Sequence, residues 1–226
     1  MTTGDRIAAS YDAVAQTYAE KIGDEMAGKP IDRAWLNCLA ELAASIPGGV
    51  VADVGCGPGH VAAYLAEQGA KVMGVDLSPG MIRVARSRYP QLEFMVGSLL
   101  ELPVGDNAWA AAVCPYSILH LADEERPTAF AELARAIVPG GWLLLSFHIS
   151  GENHEPGQVS HVEKWWDSEV DLDFHFLSPD VISRELEAAG FRVMAVTQRQ
   201  PWPGVEQPTK RCHLLAQLDH GGSGPT

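Results

Sequence analysis

Three glycines at alternate positions follow a short apolar segment near residue 50. The segment is Val50–Val54, and the glycines are Gly55, Gly57 and Gly59. Glycine permits a tight turn and a close approach of the backbone to a ligand, and the helix expected after the loop offers free amide donors in its first turn. A dinucleotide-binding loop has the pattern G-x-G-x-x-G, and its third glycine falls where this chain has His60. The loop therefore differs from a dinucleotide site.

Two carboxylates indicate the charge of the ligand. Asp53 lies near the end of the first predicted strand, and Asp76 ends the next one. A pyrophosphate would be disfavoured next to Asp53, whereas an ammonium group would be favoured. An acid at the position of Asp76 can accept hydrogen bonds from both ribose hydroxyls. S-adenosylmethionine (SAM) has an ammonium, a sulfonium and a ribose but no phosphate, so this pattern fits SAM better than NAD.

The elements that would position these residues alternate along the chain. From Val50 on, short apolar strands alternate with amphipathic helices, which predicts a Rossmann-like α/β fold: a mostly parallel sheet of seven strands with helices on both faces. Two late strands joined only by a loop predict an antiparallel hairpin at one edge. The predicted strands cover residues 50–54, 71–75, 92–96, 109–113, 142–147, 191–197 and 212–218, and the helices between them cover 60–68, 80–88, 124–138 and 180–189.

Other segments flank or interrupt this alternation. Two N-terminal helices predict a helical cap at residues 5–45, and the Pro-Gly-Gly sequence at 139–141 predicts the end of a helix. The stretch 148–179 is too long and too polar for an ordinary connection and predicts an inserted lid. We therefore expect a single domain over residues 1–220, followed by a flexible tail at 221–226.

The predicted lid combines many acidic side chains with aromatic ones, including Trp165 and Trp166. Acids together with aromatics favour a cationic or amine-bearing substrate through charge and cation–π contact. The simpler interpretation, to which we give more weight, is a solvated lid that its tryptophans dock onto the body of the protein. The histidines of this stretch lack the i, i+3 or i, i+4 spacing of a helical metal site, so no metal is predicted.

Composition and charge argue against several classes of protein. The formal net charge is −13, which opposes binding to nucleic acid unless a basic stripe compensates, and the densest basic pairs, such as Lys210 and Arg211, are typical of solvated helix faces and edge strands. No apolar run approaches the roughly 20 residues that span a bilayer, and no signal peptide is visible. The four cysteines lack the close spacing of a disulfide framework, so a cytoplasmic protein is predicted.

Four motifs in this order resemble the class I SAM-dependent methyltransferases, especially their small-molecule branch, which includes the ubiquinone and menaquinone biosynthesis enzymes and many bacterial secondary-metabolite enzymes. The resemblance covers roughly Tyr11 to Leu218, and it includes the usual N-terminal helix of that branch, here Y-D-x-x-A-x-x-Y. It implies transfer of a methyl group from SAM to oxygen or nitrogen of a small molecule, with S-adenosylhomocysteine (SAH) as the product. The motifs are D-V-G-C-G-P-G at 53–59, G-V-D-L-S at 74–78, G-S-L at 97–99 and P-G-G at 139–141.

The resemblance also implies which residues contact SAM. The three loop glycines would hold the methionyl part with Asp53 near its amino group, and Asp76 would bind the ribose. Ser98 occupies a position where the family often has an aspartate that contacts the adenine amine, which weakens that contact. The implied cofactor-binding residues are Tyr11, Tyr18, Asp53, Gly55, Cys56, Gly57, Gly59, Asp76, Leu77, Met81, Gly97, Ser98, Leu99 and Pro115.

The acceptor side is less determined. Ligands of open α/β sheets bind beyond the carboxyl ends of the strands, where His120 follows the fourth predicted strand and His148 the fifth. A neutral imidazole can take a proton from a hydroxyl or amine near pH 7, so both are candidate catalytic bases. An equally weighted interpretation makes His120 a structural histidine at a helix start. The residues predicted to bind substrate are Tyr116, His120, His148, Trp165 and Trp166.

Two alternatives stay open. A protein or RNA methyltransferase is opposed by the acidic charge and by Cys-Pro-Tyr-Ser at 114–117, where such enzymes have residues of the Asn-Pro-Pro-Tyr type. A non-catalytic SAM-binding module would have the same cofactor residues as an enzyme, so the sequence does not separate the two. An NAD-dependent reductase is less favoured because of the glycine pattern. The acceptor and the choice between monomer and homodimer also stay open.

Overall fold

Helices and strands alternate from Val50 onward, as the hydrophobic pattern predicts, in the computed structural model of the protein, which describes residues 2–220. The strands are β1 (Val50–Val54), β2 (Lys71–Asp76), β3 (Glu93–Val96), β4 (Trp109–Pro115), β5 (Ile137–Ser150), β6 (Val159–Trp165), β7 (Ser168–His175), β8 (Phe191–Arg199) and β9 (Lys210–Leu218). The α-helices are α1 (Thr3–Ile22), α2 (Pro30–Ala44), α3 (His60–Glu67), α4 (Pro79–Arg88), α5 (Arg126–Ala136) and α6 (Pro179–Ala188). The predicted tail at 221–226 lies outside the described residues.

Seven of the strands form one sheet in the order β3-β2-β1-β4-β5-β9-β8. Strands β1 to β5 pair in parallel, whereas β9 runs antiparallel to both β5 and β8. The predicted fold class and the antiparallel hairpin are confirmed. Because β9 lies between β5 and β8, the prediction of an edge strand at Lys210 and Arg211 is wrong, and Arg211 is buried.

Helices cover both faces of the sheet. On one face α2, α3 and α4 bury apolar side chains such as Leu39, Leu65 and Ile82, and on the other face α5 and α6 bury side chains such as Phe130 and Leu186. Burial of one large apolar side chain stabilises a fold by about 1.5–3 kcal/mol. The two layers therefore hold the strand ends, where ligands bind in such folds, in a defined arrangement.

Strand β5 differs from its prediction at both ends. Helix α5 ends at Ala136 and β5 begins at once, so the Pro-Gly-Gly sequence at 139–141 lies inside a strand instead of after a helix. The pairing with β4 shifts register across this sequence, and Gly140 has a φ of +79°, as in a β-bulge. At its other end β5 continues to Ser150, so His148 is a strand residue and not the first residue of an insert.

The segment predicted as a lid contains an antiparallel hairpin, β6–β7, that was not predicted. The two strands are joined by Trp166 and Asp167, and Trp166 has a φ of +54°. A two-residue hairpin turn usually carries glycine or asparagine where φ is positive. The sequence lacks that signal, and the many acidic residues gave the segment the composition of a polar loop. The alternation of Val170, Leu172 and Phe174 with polar residues along β7 was a strand signal that was missed.

Hairpin β6–β7 packs against α1. Val170 and Leu172 of β7 contact the apolar side of α1, and the guanidinium of Arg6 lies 2.6 Å from carboxylate oxygens of Asp171 and of Asp173. The hydroxyl of Ser10 also accepts a hydrogen bond from the Asp171 amide at 2.9 Å. Two distant segments thus form one cover over the sheet. Within residues 2–220, no helix combines the length and the apolar character needed to cross a membrane.

Candidate functional site

A cavity of about 620 Å³ lies at the carboxyl ends of β1, β2, β4 and β5. Its size falls in the range of small-molecule sites, about 300–1,000 Å³. It runs from the glycine-loop end, which consists of Gly55, Gly57 and Asp76, to the β5 end, which consists of Lys29, Tyr116, His148, Glu206 and Arg211. Strand β2 at one end and β9 at the other are separated by three strands, which is about 19 Å at the usual strand spacing.

The glycine-loop end is tied to strand β2. The amides of Gly55 and Cys56 donate hydrogen bonds to the Val75 carbonyl at 2.7 and 3.0 Å. Gly55 has a φ of +76°, and a Cβ atom there would lie 1.7 Å from the hydroxyl oxygen of Ser117. Only glycine satisfies both conditions, so this turn depends on its first glycine.

Asp76 presents a carboxylate to the cavity. Its two oxygens accept hydrogen bonds from the amides of Gly57 and Ser78, each at 2.8 Å. Burial raises the pKa of Asp76 to about 6, so the group is mainly ionised at neutral pH. A carboxylate oxygen can accept more than one hydrogen bond, so both oxygens retain capacity for a pair of ligand hydroxyls.

Most of the predicted cofactor residues lie around the cavity. Those that line it are Tyr11, Tyr18, Gly55, Cys56, Gly57, Asp76, Leu77, Met81, Gly97, Ser98, Leu99 and Pro115. They come from α1, the glycine loop and the segments after β2, β3 and β4. The structure therefore brings the separate motifs of the sequence to one side of one cavity.

Asp53 and Gly59 lie outside that lining, so their predicted contact with the cofactor stays a prediction. The Asp53 side chain points from β1 toward α3 and accepts a hydrogen bond from the Ala62 amide at 2.9 Å. Burial raises its pKa to about 8, so it does not supply the full negative charge expected beside an ammonium group. Gly59 allows close packing instead, because a Cβ atom there would lie 2.7 Å from the ring of Phe94.

His120 lines the cavity, but both of its ring nitrogens are occupied. Nδ1 lies 2.8 Å from the Asp173 carbonyl, which can only accept, so Nδ1 carries the proton. Nε2 then accepts the hydrogen bond of the Tyr11 hydroxyl at 2.7 Å. Burial lowers the pKa of His120 to about 4. The imidazole joins α1 to β7, and its lone pair is already used.

His148 lines the same cavity, and only one of its ring nitrogens has a hydrogen-bond partner. Its Nδ1 lies 2.9 Å from the hydroxyl oxygen of Thr209, and this is the hydrogen bond that orients the ring. Burial, with help from the nearby Arg211 and Lys29 cations, lowers the pKa of His148 to about 3. The ring is therefore neutral, and Nε2 is left for a ligand.

Tyr116 stands next to His148 in a strained conformation. Its φ is +56°, a value that tyrosine rarely adopts, and its ring centre is 5.0 Å from that of His148. The Lys29 ammonium and the Arg211 guanidinium lie 5.6 and 5.8 Å from the ring centre. The hydroxyl is buried without a hydrogen-bond partner. Strain of this kind is concentrated at functional sites.

The predicted substrate residues of the hairpin also reach the cavity. Trp165 and Trp166 line it, stack on each other at 5.0 Å, and Trp165 packs edge-on against Tyr18 at 5.6 Å. The carboxylates of the hairpin do not line the cavity, and Asp171 and Asp173 pair with Arg6 instead. This arrangement favours the docking interpretation over electrostatic attraction of a cationic substrate.

Sequence reasoning identified Tyr116 and His148 but missed the other polar residues of the β5 end. Across strands β5 and β9, Ser146 is paired with His213 and His148 with Arg211, and Asp32 of α2 covers this surface. These residues are far apart in the chain, so no local motif joins them. One signal was present: polar side chains at alternate positions in β9 mark one face of an otherwise apolar strand.

Charged groups at the β5 end form a buried network. Arg199 donates to both oxygens of Glu206 at 2.7 and 2.8 Å and to Asp32 at 2.7 Å. Although burial opposes its charge, the bonds from Arg199 lower the pKa of Glu206 to about 2. Lys29 lies 2.8 Å from a Glu25 oxygen. In the described part of the chain, no group of three or more His, Cys, Asp or Glu side chains is arranged to hold a metal ion.

Comparisons with known proteins agree with this architecture. Residues 51–141 match a family model described as a methyltransferase domain. Over 147 residues, 65% of this chain and 57% of the relative, the chain is 32% identical to a malonyl-[acyl-carrier protein] O-methyltransferase of Serratia marcescens. Over 142 residues, 63% of this chain and 58% of the relative, it is 29% identical to a demethylmenaquinone methyltransferase of Renibacterium salmoninarum. The chain thus matches less than two thirds of the length of these relatives.

Solved structures share the fold. The [4+2]-cyclase SpnF has a TM-score of 0.71 at 19% identity, with 97% of this chain and 98% of that chain covered. The glycopeptide N-methyltransferase MtfA in complex with SAM has a TM-score of 0.61 at 20% identity, with 81% and 93% covered. At such low identity these similarities support the arrangement of helices and strands.

Proposed function

We propose that the chain is a class I SAM-dependent methyltransferase, which binds SAM and methylates oxygen or nitrogen of a small molecule, releasing SAH. One observation carries the proposal. The glycine loop and the Asp76 carboxylate open into a cavity that continues, under a common cover, to a second region with a neutral histidine and unpartnered polar groups. The cavity thus has room for a donor and an acceptor.

At the glycine-loop end, we propose that Asp76 accepts hydrogen bonds from the two ribose hydroxyls. Its ionised state and the two amides that already orient it support this role. Leu77 and Met81 offer apolar contacts to a base, and the Ser98 hydroxyl offers one polar contact. The methionyl part would lie along Gly55 and Gly57.

SAM supplies an electrophilic methyl group on a sulfonium sulfur. The protein has to align the acceptor with the methyl–sulfur bond and exclude water, which can lower a barrier by several kcal/mol. Tyr11, Tyr18, Trp165 and Trp166 surround the cavity with apolar rings that serve both tasks. Closure of hairpin β6–β7 as a lid remains part of the proposal.

His148 is our candidate for the catalytic base. For a hydroxyl acceptor, Nε2 of His148 takes the acceptor proton while the acceptor oxygen bonds to the methyl carbon and the methyl–sulfur electron pair returns to sulfur. A positioned base typically contributes about 10²–10⁴-fold to a rate. The hydrogen bond of Nδ1 to Thr209 supports this role, whereas the two occupied nitrogens of His120 support an anchoring role.

We also propose a cytoplasmic protein that acts as a monomer or homodimer without a nucleic-acid partner. The four cysteines are free thiols, as in a reducing compartment, and the net charge of −13 opposes polyanionic partners. A role in secondary metabolism remains a prediction from the resemblance to that branch of the family.

Transfer of a labelled methyl group tests the proposal. The purified protein is incubated with SAM labelled in its methyl group and with small-molecule, RNA and protein fractions of a cell extract. We expect label in a small molecule together with an equal amount of SAH. Label only in RNA or protein would favour a protein or RNA methyltransferase, and SAM binding without any transfer would favour a non-catalytic SAM-binding module. Binding of NAD but not of SAM or SAH would overturn the cofactor assignment.

A further inference from the structure

Two buried hydrogen-bond groups without a partner belong to residues at the β5 end of the cavity. The Tyr116 hydroxyl and Nε of Arg211 are both buried without a hydrogen-bond partner, although both residues line the cavity. The whole Arg211 residue is only 3% exposed. Buried polar groups are nearly always paired in folded proteins, so an unpartnered pair at a cavity wall points to a ligand.

Arg211 has one ion pair, and that pair is long and shared. Its hydrogen bonds leave from Nη1 and go to neutral carbonyls, those of Gln207 at 3.0 Å and Thr209 at 2.8 Å. The Glu206 carboxylate is 3.4 Å from Nε, but it is already held by two hydrogen bonds from Arg199. Burying a cation whose only anion is 3.4 Å away and shared with a second arginine is costly, so the guanidinium favours a further negative charge.

The other charges nearby are matched. Lys29 pairs with Glu25 at 2.8 Å, and Asp32 accepts from Arg199 at 2.7 Å. His148 is opposite Arg211 in the β5–β9 pairing and is neutral, so it adds no negative charge. Arg211 is therefore the cation of this network with the weakest pairing, and its guanidinium carbon lies 5.8 Å from the centre of the Tyr116 ring.

We propose that Arg211 and Tyr116 form a binding site for a carboxylate of the methyl acceptor. The guanidinium donates hydrogen bonds to the carboxylate from its Nη2 side, away from the carbonyls that Nη1 contacts, and the Tyr116 hydroxyl donates a further hydrogen bond. This inference rests on the proposed function, because it assigns the bound group to the acceptor. It replaces a cationic substrate with an acidic one, held so that the rest of the molecule lies along His148.

Paired probe molecules test the site without any need for turnover. Protein saturated with SAH is titrated with 4-hydroxybenzoate and with its neutral counterpart 4-hydroxybenzamide, and binding is followed by calorimetry and by the fluorescence of the cavity tryptophans. We expect the carboxylate to bind about tenfold more tightly than the amide or better. Equal affinity, or no binding of either probe up to solubility, would overturn the proposal.

Three variants assign the preference to its residues. Arg211→Gln should remove the preference for the carboxylate, and Tyr116→Phe should reduce carboxylate affinity about threefold to tenfold. The Tyr116 hydroxyl has no partner in the protein, so Tyr116→Phe keeps the test valid if Arg211→Gln disturbs folding. Arg192→Gln, an exposed change in the same β8–β9 hairpin, is the matched control and should keep the preference. An unchanged preference in the first two variants would contradict the assignment.

Titration of SAH alone separates the two proposals. If SAH binds and the carboxylate preference is absent, the carboxylate site is wrong and the proposed function is untouched. If SAH does not bind to the unmodified protein, the proposed function fails, whatever the probes do.

Discussion

The two ends of the cavity are built from the chain in different ways. The glycine-loop end comes from two short stretches, residues 53–59 and 74–78, which hydrogen-bond to each other along neighbouring strands β1 and β2. The β5 end combines Lys29, Tyr116 and Arg211 with strand β5, so its members are spread over most of the chain. Residues that are close together in the chain form a motif that can be recognised in the sequence. Residues that are far apart in the chain form a recognisable group only in the folded structure.

The two ends also differ in how their charges are held. Asp76 is held by backbone amides, which side-chain substitutions leave in place. At the β5 end, charged side chains are held by hydrogen bonds and ion pairs with other side chains. A single substitution there therefore removes the partner of several residues at once. We therefore expect the glycine-loop end to bind one kind of ligand, and the β5 end to be the part that selects the acceptor.

The largest expected effect is at the β5 end. His148→Ala should lower turnover with the acceptor found by methyl labelling by about 10²–10⁴-fold, because it removes the proposed base. SAH affinity, measured by calorimetry, should change little. Turnover within a few-fold of the unmodified protein would contradict the role of His148.

Two variants sharpen that result. Thr209→Val keeps the imidazole but removes the partner of Nδ1, so it should cause a smaller loss of turnover than His148→Ala. His120→Ala should mainly lower the melting temperature, because it breaks the link between Tyr11 and β7. A loss of turnover in His120→Ala without a change in stability would return the base role to His120.

At the glycine-loop end, the largest effect is expected for Gly55→Ala. A positive φ disfavours alanine and the added Cβ meets Ser117, so we expect a loss of about 2–5 kcal/mol in the free energy of unfolding. Gly69→Ala is the matched control, since Gly69 has a φ of +86° with no atom within 4 Å of the added Cβ. Denaturant titration gives the free energy of unfolding of both variants. The loss in Gly69→Ala measures the backbone strain of alanine at positive φ, and the additional loss in Gly55→Ala measures the steric clash with Ser117. Equal losses would mean that contact with Ser117 is unimportant.

Asp76→Asn should weaken SAH binding by about 1–3 kcal/mol, since it removes a charged acceptor for the ribose hydroxyls. Calorimetry gives the affinity, and 2′-deoxy-SAH provides a matched ligand. If Asp76 binds the ribose hydroxyls, the loss of binding free energy caused by 2′-deoxy-SAH and the loss caused by Asp76→Asn should not be additive. Unchanged affinity for SAH would refute the assignment.

The same carboxylate predicts a pH dependence. The pKa of Asp76 is about 6 because burial disfavours its charge, and the ionised form is the better acceptor. SAH affinity should therefore fall about tenfold from pH 7 to pH 5, as the carboxylate is protonated. Asp76→Asn should show a flatter profile over that interval. A profile that is the same in both proteins would assign the pH dependence to another group.

The smallest effect concerns the cover that both ends share. Arg6→Gln removes two ion pairs with Asp171 and Asp173, whose side chains are 51% and 29% exposed, so stability should fall by no more than about 1 kcal/mol. Amide hydrogen exchange should become faster in β7 and stay unchanged in β1. Equal exchange in both proteins would mean that the apolar contacts of Val170 and Leu172 suffice to hold the hairpin.

Prediction from sequence succeeded where spacing encodes structure. Strand β1 and the acid that ends β2 lie as predicted, because each is specified by a few adjacent residues. The hydrogen bond that Asp53 accepts from the Ala62 amide was not foreseen, because a strand alternates its faces and the sequence does not say which face meets the helix. The predicted role of Asp53 toward the cofactor stays a prediction. Hairpin β6–β7 was missed because its turn carries tryptophan and aspartate where a glycine would have marked it.

Apart from Tyr116 and His148, the β5 end was beyond sequence reasoning for a different reason. Arg211 looked like an edge-strand residue, since a pair of charged residues at the start of an apolar strand does not show which strands will lie next to it. Its burial follows from the position of β9 between β5 and β8, which is a property of topology. Likewise, the pairing of Arg211 with His148 depends on the register of two strands that are more than one element apart in the chain.

The reversed direction of β9 has a consequence for how such proteins diversify. The loops that follow the parallel strands lie at the cavity. Because β9 runs in the opposite direction, the loop that precedes it lies there instead, and this loop between β8 and β9 carries Glu206 and Gln207. Insertions or deletions in that loop can change the shape of the β5 end of the cavity while the hydrogen bonds of β9 to its neighbouring strands are kept. Grafting this connection from one relative to another is therefore a direct way to exchange substrate preference without rebuilding the sheet.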